Sequence, residues 1–110
     1  MILFENTEVT VPTVISPGKS VDVKFKIIGD ASQIKSMTPS CGCTANVRIE
    51  GDYVIATFTD TEAVRLTPQQ IKAYYKNGVY HYAKSINVNL KDNQASIKLK
   101  FNGQIKFPSN

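Results

Sequence analysis

With 110 residues, the chain has the length of one domain, and we predict a single domain over residues 1–110. Its 42% hydrophobic and 20% charged residues exclude a disordered or collagen-like chain, and no apolar run reaches the roughly 18 residues that a membrane span needs. The first ten residues carry Glu5 and Glu8 and lack a basic start. We therefore expect no secretory signal, and a location on the side of the membrane where the chain is made.

The net charge of +4 is unevenly distributed along the chain. Residues 1–66 carry six basic and eight acidic side chains, whereas residues 67–110 carry seven lysines and the single acidic residue Asp92. Such a basic segment is typical of a surface that meets an acidic partner, although a set of solvated strand faces explains it more simply. Because only Arg48 and Arg65 are arginines, bidentate recognition of bases or phosphates is disfavoured, and we rank nucleic acid last among the partners.

Alternating apolar and polar residues predict about seven β-strands, in chain order 9–14, 21–27, 34–38, 44–50, 53–59, 86–90 and 95–107. Turn signals separate them. Pro17-Gly18 suits a type II turn, and Gly51-Asp52 suits a tight hairpin. Gly103, inside the last strand, indicates a bulge or a close approach of another group.

One segment, near 68–76, breaks the strand pattern. Thr67 is a suitable helix cap, Pro68 suits the first helical position, and Gln70 completes a capping box. Gly78 suits the residue after the last turn. These residues predict a short helical turn, against the alternative of a strand.

Short antiparallel strands at this spacing predict an all-β fold, an immunoglobulin-like β-sandwich. The residues that share inward parity form the predicted core: Val23, Phe25, Ile27, Phe58, Ile86, Val88, Leu99 and Phe101. The chain has no Trp, and its two cysteines are only two residues apart, so the sandwich is not of the antibody type.

The string Cys41-Gly42-Cys43 is the most distinctive one in the chain, and four interpretations compete for it. Cα atoms two apart in a strand lie about 6.6 Å apart with parallel side chains, which suits a disulfide poorly unless Gly42 folds the backbone sharply. A zinc site needs four ligands, and a catalytic thiol needs a base, yet His81 is the only histidine. We therefore expect two reduced, metal-free cysteines that pack inward as small apolar residues, with no catalytic centre and no cofactor.

The sequence resembles a family of bacterial immunoglobulin-like domains of unknown function, related to the abnormal-spindle and Hydin type domains. The resemblance covers about residues 9–107 and rests on three strings: 40–44 with its Cys-Gly-Cys, 77–88, and the closing strand 97–105. It implies an all-β scaffold or binding module without enzymatic activity. Members of the family usually carry an export or lipoprotein signal and lie in the bacterial envelope, and the expected lack of such a signal here is a departure from the family's pattern.

Tyrosines and lysines are densest over residues 72–84. Such a mixture suits a protein interface or a platform for single-stranded nucleic acid. Tyr82 shares parity with Ile86 and is predicted to lie in the core, where it could form a tyrosine corner. Tyr74 and Tyr75 are predicted to lie on the surface. The residues predicted to bind a protein partner are Tyr74, Tyr75, Lys98, Lys100 and Lys106.

These observations lead to a non-enzymatic structural or protein-binding module, with a protein partner in a multi-subunit assembly and no small-molecule substrate. A small sandwich without a signal fits a decoration or connector subunit of a bacteriophage virion. The alternative is a protein-binding domain of a bacterial cell envelope, in the periplasm or at the cell surface.

Overall fold

Eight strands, one α-helix and two short 3₁₀ helices (Ala31–Gln33 and Ala63–Arg65) make up the regular structure of the computed structural model, which describes residues 2–108. The strands are β1 (Ile2–Phe4), β2 (Glu8–Thr10), β3 (Ser20–Gly29), β4 (Ile34–Pro39), β5 (Thr44–Glu50), β6 (Tyr53–Thr59), β7 (Val79–Leu90) and β8 (Ile97–Lys106). Seven of them correspond to the predicted strands. The eighth, β1, has only three residues, which is too short for its alternation to be recognised in the sequence.

The strands form two four-stranded sheets that pack as a sandwich. The first sheet has the order β1-β3-β6-β5, and the second has the order β2-β8-β7-β4. The expectation of antiparallel strands throughout was wrong for one pair, because β2 runs parallel to β8. The reason is that the chain changes sheets between β1 and β2 and then lies alongside the last strand in the same direction.

The core lies between the two sheets and has the composition that the alternation predicts. All eight residues predicted from shared parity are buried, with Phe25 and Phe101 the largest among the fully buried side chains. The prediction holds because each strand must turn one face towards the other sheet, so a period of two separates core from surface.

The predicted helix is confirmed as α1 (Pro68–Tyr74). The Thr67 side chain accepts a hydrogen bond from the backbone N–H of Gln70, and the Gln70 side chain accepts one from the N–H of Thr67. This reciprocal pair is the capping box that the sequence indicates. Within the described residues, no helix is long and apolar enough to cross a membrane.

Gly103 lies opposite Tyr82 in the pairing of β7 with β8, and the tyrosine ring covers it. A Cβ atom at position 103 would collide with this ring, so the glycine is needed for a close approach. The ring also stacks on Phe58, with centroids 4.2 Å apart. Tyr82 therefore belongs to the core, as predicted, but it does not form a tyrosine corner, because its buried hydroxyl has no partner among residues 2–108.

We predict that Gly103→Ala lowers the free energy of unfolding by about 1–3 kcal/mol, because the Tyr82 ring must move out of its packed position. Urea denaturation measures the change. Gly42→Ala is the matched control, since a Cβ there meets no atom within 4 Å. Equal stabilities of the Gly103→Ala variant and the parent protein would contradict the packing described here.

Candidate functional site

A cavity of about 210 Å³ opens on one side of the sandwich, beside the first half of β7. The side chains that matter for its chemistry are those of Cys43, Phe58, Glu62, Tyr80, His81 and Lys84. The cavity exists because β4 ends at Pro39, opposite Ile86, and the chain then crosses to the other sheet. Within residues 2–108, no strand therefore pairs with this edge of β7 before Ile86.

The crossover contains the Cys-Gly-Cys string, and here the expectation of reduced cysteines was wrong. Cys41 and Cys43 form a disulfide, with their Cα atoms 5.4 Å apart. The expectation assumed an extended backbone, but the chain turns at this point, and the N–H of Thr44 donates to the carbonyl of Cys41 at 3.3 Å. The turn shortens the Cα separation into the range that a disulfide accepts.

Asp60 holds the loop that forms the opposite wall of the cavity. Its buried carboxylate accepts four backbone N–H groups, from Gly18, Glu62, Ala63 and Val64, at 2.8–3.0 Å. Four such bonds compensate for the burial of the charge and fix the short 3₁₀ turn at Ala63–Arg65. The sequence offers one signal for this loop: Asp60 directly follows a predicted strand, and an Asp at such a position commonly forms an Asx turn.

Glu62 extends from this loop across the mouth of the cavity to β7. One carboxylate oxygen accepts a hydrogen bond from the Tyr80 hydroxyl, and the other accepts one from the Lys84 ammonium at 3.2 Å. Both bonds hold the pKa of the Glu62 carboxyl below its usual value, the Tyr80 bond more than the Lys84 bond. The Glu62 carboxylate raises the pKa of Tyr80 to about 12, with burial as the second cause.

The structure separates the residues that were predicted to bind a protein. Tyr74 is 78% exposed, whereas Tyr75 is only partly exposed and packs against Tyr80 and Phe107. Tyr75 is therefore less exposed than the expected surface position implies, since the end of α1 turns this ring onto the sandwich.

The lysines of β8 are exposed, as predicted, but they do not form one patch. Lys98 and Lys100 are neighbours on the outer face of the second sheet, while Lys106 lies six residues further along the strand, about 20 Å away. Lys84, another lysine of the basic segment 67–110, is paired with Glu62.

The chemistry around the cavity does not assemble a metal site. His81 and Cys43 border the same space, but no group of three or more His, Cys, Asp or Glu side chains within residues 2–108 could hold an ion. The sulfur of Cys43 is already bonded to that of Cys41, and the Asp60 carboxylate is already satisfied by backbone amides.

No model of a known protein family matches the chain, and no curated protein or solved structure is significantly similar to it.

The disulfide gives a prediction for the purified protein. Without reductant, its mass should be lower by two hydrogen atoms than that of the reduced form, as mass spectrometry can measure. A bridge over so short a loop removes little entropy from the unfolded chain, so Cys41→Ser with Cys43→Ser should cost only about 1–2 kcal/mol of the free energy of unfolding. Two free thiols in the absence of reductant would contradict the bridge.

The contact between Glu62 and Tyr80 predicts a delayed ionisation. Because the folded-state pKa of Tyr80 is about 12, above its ordinary value of 10.0, this contact stabilises the fold fully below pH 10 and is lost as the pH rises towards 12. The tyrosinate absorbance of the parent protein minus that of Tyr80→Phe should show a component that titrates near 12.

Glu62→Gln is the matched variant for this titration, since it removes the charge and keeps an acceptor oxygen. The Tyr80 component should then move down towards 10. A component near 10 in the difference between the parent protein and Tyr80→Phe would show that the contact is absent in solution.

Proposed function

We propose that the chain is a non-enzymatic, protein-binding module with an immunoglobulin-like fold. The strand order supports the fold. With β1, β3, β6 and β5 taken as strands A, B, E and D, and β8, β7 and β4 as G, F and C, the two sheets match the constant-type immunoglobulin arrangement. The strand β2 adds one parallel neighbour to strand G.

The resemblance to the bacterial immunoglobulin-like family is part of this proposal. The Cys-Gly-Cys string lies at the crossover from β4 to β5, where the chain changes sheets. A string at such a turn contributes to the shape of the sandwich, which is in keeping with a scaffold or binding module.

One observation carries the binding function: the pair Lys98 and Lys100 on the outer face of β8. Both side chains are exposed, and neither forms an ion pair within residues 2–108. Glu8 is the residue that lies beside Lys100 in the pairing of β2 with β8, so the lysines are only partly balanced. Unpaired cations at adjacent outward positions of one strand suit an acidic protein surface.

The proposed setting is a bacteriophage particle, in which the chain would be a decoration or connector subunit of a multi-subunit assembly. The bacterial cell envelope is the second setting. Mass spectrometry of purified virions distinguishes them, because a structural subunit is present in fixed stoichiometry. An export signal in the genomic reading frame, together with absence from virions, would favour the envelope.

A charge reversal tests the binding surface. The partner used in this test is the protein that co-purifies with the chain from either setting. The double variant Lys98→Glu with Lys100→Glu should associate with this partner roughly tenfold more slowly at low salt, and the effect should be smaller at high salt. Association rates by surface plasmon resonance at several salt concentrations measure this.

Lys24→Glu with Lys26→Glu is the matched control, because these lysines are spaced in the same way on the outer face of the first sheet. Equal slowing by both double variants would show a general effect of net charge. Equal rates for the Lys98/Lys100 variant and the parent would exclude the proposed surface.

A further inference from the structure

One edge of β7 is free over half of its length. The strand has twelve residues, but β4, its neighbour on that side, has only six and pairs with Ile86–Leu90 alone. The pairing ends at Ser85, whose carbonyl accepts from the N–H of Ser40 at 2.9 Å and whose N–H donates to the Ser40 hydroxyl at 3.1 Å. No strand within residues 2–108 continues along β7 before this point.

The hydrogen bonds of β8 show which backbone groups of β7 face this edge. Backbone N–H and C=O groups of successive β8 residues point to opposite sides of the strand. Those of residues 100, 102, 104 and 106 bond to β2 and to the segments on either side of it. The groups of residues 99, 101, 103 and 105 therefore bond to β7. Their partners in β7 are Tyr80, Tyr82, Lys84 and Ile86. The N–H and C=O groups of His81 and Ala83 must therefore point away from β8, towards the free edge, as those of Ser85 do.

Within residues 2–108, no segment bonds to the backbone groups of His81 and Ala83, although the Glu62 side chain reaches the neighbouring Tyr80 and Lys84. Proteins usually protect a free edge with a proline, a bulge, a lysine or a covering loop. His81 and Ala83 are neither proline nor lysine, the pairing with β8 has no register shift here, and the backbone groups of both residues have no other partner among the described residues. The cavity described above lies directly beside them.

We propose that the first half of β7 binds an extended segment of a partner protein as an added strand, antiparallel to β7 and in line with β4. This inference rests on the proposed protein-binding function and names the site and the chemistry of the partner. The added strand accepts hydrogen bonds from the N–H groups of His81 and Ala83 and donates to their carbonyls.

The side chains of the added strand alternate between two environments. A residue opposite Tyr82 points towards the cavity, where Phe58 and Tyr80 provide apolar contacts. The residues opposite His81 and Ala83 point outward, on the same face as Lys98 and Lys100, and Lys100 is itself the cross-strand neighbour of Ser85. An apolar residue between acidic ones therefore fits the site.

A second copy of this chain fits less well. A symmetric pairing of two β7 edges would place the exposed lysines of both β8 strands on one continuous face, and each chain carries a net charge of +4. The two β8 strands would lie three strand spacings apart, roughly 14 Å, so repulsion between their lysines would oppose such a pairing mainly at low ionic strength. The charge therefore favours an acidic partner segment.

Amide hydrogen exchange measured by NMR tests the site directly. In the free protein, the amides of His81 and Ala83 should exchange much faster than those of Tyr82 and Lys84. The probe is a blocked heptapeptide of alternating Glu and Val, which should slow the exchange of His81 and Ala83 amides selectively. A Lys and Val heptapeptide should bind roughly tenfold more weakly or not at all.

Methylation of the peptide backbone separates strand pairing from simple charge attraction. In the proposed orientation the glutamates present their N–H groups to β7, so N-methylation of the glutamates should abolish protection, and N-methylation of the valines should not. Ala83→Pro removes one N–H and should weaken binding roughly tenfold, while Ala83→Val keeps the N–H and should bind as the parent does.

Several results would overturn the inference. They are slow exchange of His81 and Ala83 in the free protein, no protection by the acidic peptide, or protection that depends on protein concentration alone, which would indicate self-association. A partner whose binding responds to Lys98→Glu with Lys100→Glu, but leaves the exchange of His81 and Ala83 unchanged, would refute the added strand and leave the binding function intact.

Discussion

The pairing of β7 with β8 is the interaction on which the rest of the sandwich depends. The two strands pair over ten residues without a register shift, from Val79 with Lys106 to Val88 with Ile97. Their inward side chains include Ile86 and Leu99, which are completely buried. Because a change of register by one residue would turn these side chains to solvent, the pairing is strongly specified.

The two flanking strands of the second sheet attach to this hairpin over very different lengths. β2 and the segment after it run beside β8 as far as Ile15, which bridges to Ile105. β4 covers only the distal part of β7, because the disulfide-bonded turn takes the chain across to the first sheet. The open side of the sandwich is therefore a consequence of unequal strand lengths, and the cavity follows from it.

The loop after β6 closes part of this open side, and it does so with charged groups. Asp60 anchors the loop through three backbone amides of the loop itself and through the amide of the distant Gly18. Glu62 then reaches β7 and neutralises Lys84. An ion pair this exposed contributes little to stability, but it removes one cation from the surface. On the outer face of the second sheet, Lys98 and Lys100 remain unpaired, one strand away from the free edge of β7, so the two proposals concern neighbouring parts of the same face.

The local pattern of the sequence was sufficient for most of the elements. A period of two identified seven strands and their buried faces, and the Thr67 cap identified α1, because these signals depend on neighbouring residues. The closeness of Gly103 to another group was also predictable, since a glycine within a strand pattern is unusual. What faced that glycine was not predictable, because Tyr82 comes from another strand.

Only the tertiary structure decided the features that matter for binding. The disulfide depends on a turn at Cys41 that the strand-like pattern before it conceals. The position of Tyr75 depends on how α1 docks, and the pairing of Lys84 depends on a loop more than 20 residues earlier in the chain. The free edge of β7 depends on where β4 ends. Apart from the local turn at Cys41, these features depend on which segments distant in sequence meet, and periodicity carries no information about that.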